Sequence, residues 1–292
     1  MKKDFDKGLL LAASGSFWWG FIGVLYFRYL TFIGYIELVV HRCLWTTFTL
    51  LLTTFFFSKW PIFTRIISNK KNLIYLFFSG FLIFINWTVW IYAVATNRII
   101  DASFGYFIMP ILSVMLGYFF FKEKLNINRI FSISLVIISI LFLILISFRS
   151  LPWVGIIVAL SWGFYNLIRK KINIDTDVGL LIESLFILPI AIGAFYIIVA
   201  NGHNDFKLSE PLMMIFIFLA GPMTVIPLFL YVRGVELCGL GPTGMIFYIT
   251  PTLQFLLGFF YYDEPFSMIK LVSFIFIWIA VIIYLKDLYE TN

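Results

Sequence analysis

Apolar stretches, each close to the about 20 residues a helix needs to cross a bilayer, follow one another along almost the whole chain. They cover residues 8–27, 35–57, 73–95, 102–121, 128–147, 152–169, 178–199, 212–232, 242–262 and 267–285. The polar breaks between them are short. The longest, NGHNDFKLSE at 201–210, is only a loop. Lipid offers no partner to an open backbone, so helices are expected throughout. The first stretch carries no small-residue cleavage site and is expected to be a retained helix, not a signal peptide.

One awkward pattern occurs twice. Residues 107–123 read FIMPILSVMLGYFFFKE and residues 248–264 read YITPTLQFLLGFFYYDE, an offset of 141. Each places a proline inside an apolar helix, where it removes a hydrogen bond and crowds the preceding turn. Other echoes accompany it: WGF at 19–21 and 162–164, and GYIE at 34–37 with GLLIE at 179–183. Each half therefore holds five stretches. Five is odd, so the second copy enters the membrane from the other side, as in many secondary transporters. The expected fold is an all-α membrane protein, ten transmembrane helices in two inverted five-helix repeats around a central cavity. The repeats are expected over 1–148 and 149–292.

Composition agrees with lipid as the solvent: 62% of the 292 residues are hydrophobic and 12% are charged, against about 25% charge in a soluble domain. The net charge of +6 is no nucleic-acid signal, because its placement follows membrane sidedness. With the N-terminus in the cytoplasm, fifteen Lys/Arg fall inside and five outside, and Arg42 lies within a stretch. Both termini are then cytoplasmic, in a bacterial inner membrane. At the inner end of the fourth stretch stands KEKLN (122–126). At the matching outer end of the ninth stands DEPFS (263–267), which keeps the glutamate and loses the lysines.

The doubled helix carries a stripe. Ser103, Tyr106, Pro110, Ser113 and Gly117 share one face, and Gly244, Phe247, Pro251, Gln254 and Gly258 are their counterparts. Small residues let helices approach, and polar ones avoid lipid. The two faces either line a central cavity or are two kinked packing surfaces left by duplication. Carbonyls freed near each proline can bond to a neighbour, to water or to cargo.

The chain also resembles the RarD-type branch (EamA domains) of the drug/metabolite transporter superfamily. The resemblance is carried by IELVVHRCLW (36–45), NWTVWIYAV (86–94), DASFGYFIMPILSVMLGYFFFKEKL (101–125), LPWVGIIVALSWGFYNLIRKK (151–171), GLLIES (179–184) and YITPTLQFLLGFFYYDEP (248–265). It implies two inverted EamA-like five-helix repeats, a cavity between them and movement of small organic solutes. Members are commonly labelled chloramphenicol-sensitivity permeases.

Ionisable groups inside spans are costly and usually functional. Glu37, His41 and Arg42 lie on the second stretch and Glu183 on the seventh. Glu37 and His41 stand four apart and can handle a proton or a cargo charge, His41 being the pH-sensitive member. The alternative is a structural ion pair of Glu37 with His41 or Arg42, with Arg42 snorkelling outward. Glu183 is expected near the inner headgroups and Arg169 as a cytoplasmic anchor. Aromatic faces attract organic cations and stack flat rings. Trp19, Trp90, Trp162, Tyr165 and Tyr248 are therefore cavity candidates, beside the membrane-anchoring role of such residues. Asn86, Asn166 and Gln254 are the deep amides.

No GxxxxGK[ST] loop, HExxH or clustered Cys/His set is present, and Cys43 and Cys238 form no pair pattern. No catalytic residue, metal or cofactor is expected. The expected partners are a small-molecule substrate and the lipid bilayer, with no nucleic acid, in a monomer or weak homodimer. Three functions compete: a secondary carrier, a membrane enzyme on a lipid substrate, and a non-transporting scaffold. The carrier alone explains paired polar stripes. Its cargo is an amino acid, a quaternary amine or a similar amphipathic solute, moved by exchange or with protons.

Overall fold

The structure, a computed structural model, describes residues 2–96, 99–147, 153–205, 211–261 and 268–291. Among these residues the chain is all-helical. A first helix, α1 (Lys2–Phe17), passes through a π-helical turn (Trp18–Gly23) into α2 (Val24–Tyr29). Then come α3 (Tyr35–Phe56), the short α4 (Trp60–Ile67), α5 (Lys70–Ala95), α6 (Ile99–Phe121) and α7 (Ile127–Ser147). The rest is α8 (Trp153–Ile172), α9 (Thr176–Ala200), α10 (Pro211–Phe218), α11 (Ala220–Cys238), α12 (Leu240–Ile246), α13 (Ile249–Phe260) and α14 (Met268–Thr291). Among the described residues each apolar stretch of the sequence falls mainly on helix. Five stretches, Lys3–Tyr29, Tyr35–Phe56, Lys70–Ala93, Thr176–Ala200 and Pro211–Cys238, are long and apolar enough to cross a membrane. The outside of the molecule is apolar as well: Leu145 is 80% exposed and Phe56 73%. Water would not tolerate such a belt; lipid requires it.

The polar breaks cap helices. Asn69 Oδ1 accepts from the Lys71 and Asn72 amides, and Asp175 Oδ1 accepts from the Val178 amide. Lys59 Nζ donates to Asp177 (2.6 Å) and Asp175 (3.2 Å), tying the start of α4 to the start of α9. Lys170 Nζ donates to the Val235 and Glu236 carbonyls at the end of α11, where a cation suits the helix dipole. Gly239, at φ +93°, turns the chain into α12. The Leu240 and Gly241 amides that follow both donate to Glu123, at 2.9 Å each. Glu123 is the glutamate of KEKLN, so in this half it caps a helix of the other. Its counterpart in DEPFS lies outside the described residues.

The packing partners are α1 with α11, α5 with α8, α6 with α8, α12 with α1, α13 with α1 and the π turn, α3 with α9, α3 with α11, α5 with α9, α6 with α12, and α7 with α14. One large core, with Trp87, Trp162, Tyr165, Tyr231 and Phe247, joins helices from both halves of the chain. A second, built on Val114, Val136, Tyr248, Ile277 and Tyr284, holds α6, α7, α12 and α14 together.

Near the end of α14, Asp287 accepts from Asn126 (2.6 Å), Asn128 (3.0 Å) and Arg129 Nε (2.8 Å). Burial alone would raise its carboxyl, but the Asn128, Asn126 and Arg129 bonds outweigh that and hold it below the usual carboxylate value. Its stabilising effect is therefore whole above the unfolded value near 3.8 and is lost as pH falls through the lower folded value. Asp287→Asn is expected to lower the thermal midpoint at neutral pH and to flatten its acid dependence. Detergent-solubilised protein melted across a pH series checks both.

Candidate functional site

A cavity opens between the helices. The π turn and α2 supply Trp19, Gly23 and Phe27; α3 supplies Arg42; α5 supplies Asn86, Trp87 and Trp90. Tyr106 comes from α6 and Trp162 from α8, while Phe247, Thr250 and Gln254 come from the end of α12 and from α13. Two backbone irregularities shape it. The π turn is one residue wider than an α turn, and the Ser16 carbonyl just before it accepts from the Thr250 hydroxyl (2.9 Å). Between α12 and α13 the helix breaks at Phe247–Tyr248. There the Phe247 carbonyl, which Pro251 cannot reach with an N–H, accepts from the Thr250 amide at 2.9 Å. A neighbour in the chain, not cargo, thus satisfies the freed carbonyl.

The cavity floor is aromatic. Trp19 meets Trp162 edge to face at 5.0 Å, and Trp162 stacks on Tyr165 at 5.5 Å. Tyr231 and Phe247 complete the layer, 5.3 Å apart, with Tyr106 5.7 Å from Phe247. Such offset and edge contacts suit the ring quadrupoles and hold the layer rigid.

Arg42 stands in the wall. Its Nε donates to Thr224 Oγ1 (3.0 Å), and its guanidinium lies 4.8 Å from the Phe27 ring and 4.7 Å from that of Trp87. It neither pairs with Glu37 nor snorkels. It is 4% exposed and turned inward, because the rings of α2 and α5 shield it from lipid. Glu37 instead accepts from the Asp205 amide (2.6 Å) and lies 3.4 Å from His41 Nε2, away from the cavity lining.

A second polar group lies below the aromatic layer. Arg169, 1% exposed, is no surface anchor. It folds back from the last turn of α8, with Nη1 3.5 Å from Glu183, Nη2 3.8 Å from Glu236, and Nη2 donating to the Thr176 carbonyl (3.0 Å). Glu183 is not at headgroup level either. It lies about two helical turns inside the start of α9, covered by α5 and α8, and accepts from Ser79 (2.5 Å) and Tyr165 (3.2 Å). The Thr176 hydroxyl donates to Glu236 (2.8 Å). A Cβ at Gly179 would overlap the Arg169 guanidinium, so glycine makes the room.

The structure thus brings Trp19, Asn86, Trp90, Tyr106, Trp162, Phe247 and Gln254 together with Arg42 around one cavity. The doubled stripe divides. Tyr106, Phe247 and Gln254 face the cavity, whereas a Cβ at Gly244 would press on Ser113 and Pro110, so that end of the stripe is helix packing. Pro251 and Tyr248 are buried, the latter in the second core. Tyr165 serves Glu183, and the Asn166 amide donates to the Trp162 carbonyl (3.0 Å). The Ser103 side chain lies outside the described residues. Trp87, one of the aromatic residues the sequence offers, also lines the cavity. Sequence reasoning missed Phe27 and Thr250, whose signal was only a four- or eight-residue helical spacing from Trp19, Gly23 and Gln254. It also missed Glu236, which reads as the solvated end of a span. Cys43 and Cys238 are free and buried. Among the described residues no cluster of His, Cys, Asp or Glu could hold a metal ion.

The EamA-like transporter family model matches residues 6–145. The chain is 33% identical to the uncharacterized transporter YojE of Bacillus subtilis, over 96% of this chain and 94% of that one. It is 34% identical to an uncharacterized transporter of Vibrio cholerae (98% and 94% covered) and 32% identical to RarD of Escherichia coli (99% and 97%). A solved crystal structure shares the fold over 95% of this chain and 96% of its own, with a TM-score of 0.69 at 11% identity. The chain therefore belongs to the RarD branch of the EamA-like transporter family and is a membrane transporter.

Proposed function

We propose that the protein is a secondary carrier that moves a small organic metabolite across a bacterial inner membrane by alternating access. The observation that carries this reading is a cavity at which residues equivalent in the sequence echoes touch one another. Trp19 and Trp162, equivalent in the WGF echo, touch at 5.0 Å, and Tyr106 and Phe247, equivalent at the offset of 141, touch at 5.7 Å. Residues near a two-fold axis meet their own counterparts in this way. Two further pairings support the same relation. Gly20 packs on Leu253, and Gly163 on Leu112, its equivalent at that offset. The packing of α1 with α11 is matched by that of α8 with α5, and α3 with α11 by α9 with α5. Ten membrane crossings in two inverted repeats, 1–148 and 149–292, follow from this pairing and from the Lys/Arg bias, with both termini in the cytoplasm. The family match over 6–145 agrees with the first unit.

On this topology Phe27, Arg42 and Trp90 lie toward the outer side, and the Arg169–Glu183–Glu236 group toward the cytoplasm. The described conformer is closed on the cytoplasmic side by that group and by the aromatic floor. Rocking of one repeat on the other separates them and exposes the cavity inward. Exchange or a proton gradient drives the cycle, with the Glu37–His41 pair as the candidate proton group.

Counterflow in proteoliposomes, with labelled amino acids and methylated amines, tests the reading. Asn86 Nδ2 donates to the Val158 carbonyl (3.0 Å) and to Ser161 Oγ (3.2 Å), which leaves its Oδ1 for the cavity. Asn86→Leu is expected to cut counterflow about tenfold while costing about 1 kcal/mol of stability. Turnover of a substrate without net movement, or counterflow that survives Asn86→Leu, would count against a carrier using this cavity. A tag at 150 that is reached only from the cytoplasm would overturn the inverted topology.

A further inference from the structure

We infer that the solute carried is an organic anion, with a single carboxylate or similar group docked on Arg42 and an apolar body laid over the aromatic floor. This rests on the carrier reading for its site but not for its charge. Among the described residues Arg42 is the one ionised residue in the cavity lining, and none of them there is Asp or Glu. A guanidinium has five N–H donors. Only Nε is bonded, to Thr224, so Nη1 and Nη2 have no acceptor among the described residues. The flanking Phe27 and Trp87 rings give the cation an attractive wall but accept none of its N–H groups in the plane of the guanidinium. Burying a charge with so few partners is expensive, and the fold does not need it. In the GYIE/GLLIE alignment the equivalent of Arg42 is Leu188, in a helix that carries no Lys or Arg of its own. A carboxylate would take the two free edges in bidentate fashion and neutralise the wall.

The remaining polar groups are uncharged. Asn86 Oδ1, the Gln254 amide and the Tyr106 hydroxyl have no partner among the described residues, and all belong to the lining. They suit uncharged N–H and O–H groups on the body of such an anion. They offer no counter-charge to a bare cation, so a quaternary amine would meet Arg42 with like charge. The ring floor suits one small aromatic or branched body.

Binding to purified protein in detergent separates this inference from transport. Three phenylalkyl probes serve, the isosteric phenylpropionate and phenylpropanamide and the cationic phenylpropyl-trimethylammonium, with sodium chloride as the inorganic control. Phenylpropionate is expected to stabilise the protein and to bind about 10- to 100-fold more tightly than the amide. Arg42→Gln is expected to erase that difference, and Arg42→Lys to keep part of it. Equal binding of acid and amide, tighter binding of the trimethylammonium, or no binding by any of the three overturns the inference. So does protection by chloride equal to that by phenylpropionate, which would mark an inorganic-anion site. If Arg42→Gln does not fold, the ranking on the unaltered protein and Arg42→Lys decides. Phenylpropionate that binds but shows no counterflow would sink the carrier reading and leave the charge preference standing. Counterflow of the trimethylammonium with phenylpropionate inert would do the reverse.

Discussion

Arg169→Met is expected to destabilise the protein by about 3–5 kcal/mol, the cost of removing one partner from a buried ion pair. The guanidinium sits between Glu183 at 3.5 Å and Glu236 at 3.8 Å, and all three side chains are at most 3% exposed. Without it two carboxylates face each other in a low dielectric, although Ser79, Tyr165 and Thr176 continue to donate to them. Methionine fills similar volume, so packing loss is small and the electrostatic part dominates. The triple change Arg169→Met, Glu183→Gln and Glu236→Gln should therefore recover most of the loss. Thermal or denaturant unfolding in detergent measures both. A triple variant no better than Arg169→Met would show that shape, not charge, is what the group contributes.

Trp162→Ala is expected to cost about 3 kcal/mol or more and to weaken solute binding about tenfold. In a membrane protein the transfer part of such a loss is small, since lipid is as apolar as the interior. The hole is not small. Trp162 is 5% exposed and touches the rings of Trp19, Tyr165, Tyr231 and Phe247. Removing it opens the cavity floor onto Tyr165 and the Glu183 group beneath. Trp162→Phe keeps a ring in the layer and should retain most of the stability. Equal effects of alanine and phenylalanine would mean that the layer is not a floor.

Helix positions were legible because apolar length alone decides them in lipid, and among the described residues every apolar stretch is mainly helical. The breaks were not. The π turn at Trp18–Gly23 has no signature in WWGFIG, and the short α4 follows from Ile62, Phe63 and Ile66 packing beside Leu76 of α5 and Val178 and Ile182 of α9. For the site, residue type was a good guide where a side chain had one plausible environment. Asn86 and Gln254 are amides in apolar spans, and both reach the cavity. Charges misled, because sequence shows depth along a helix but not what covers it. Arg169 and Glu183 read as residues near a span end, yet each finds its partner on another helix. Arg42, next to His41 and five residues from Glu37, pairs with neither, since successive helix positions point about 100° apart.

The wide turn in the first helix takes up a residue. A π turn holds one residue more than the same turn of α-helix, so deleting a single residue between Trp18 and Gly23 would restore regular winding and leave the faces of Lys2–Phe17 and α2 close to their present phase. The contact of α1 with α11 would then be kept, while the ring that Trp19 holds toward Trp162 would be lost from the widened turn. The extra residue serves the cavity wall, not the packing of the first helix.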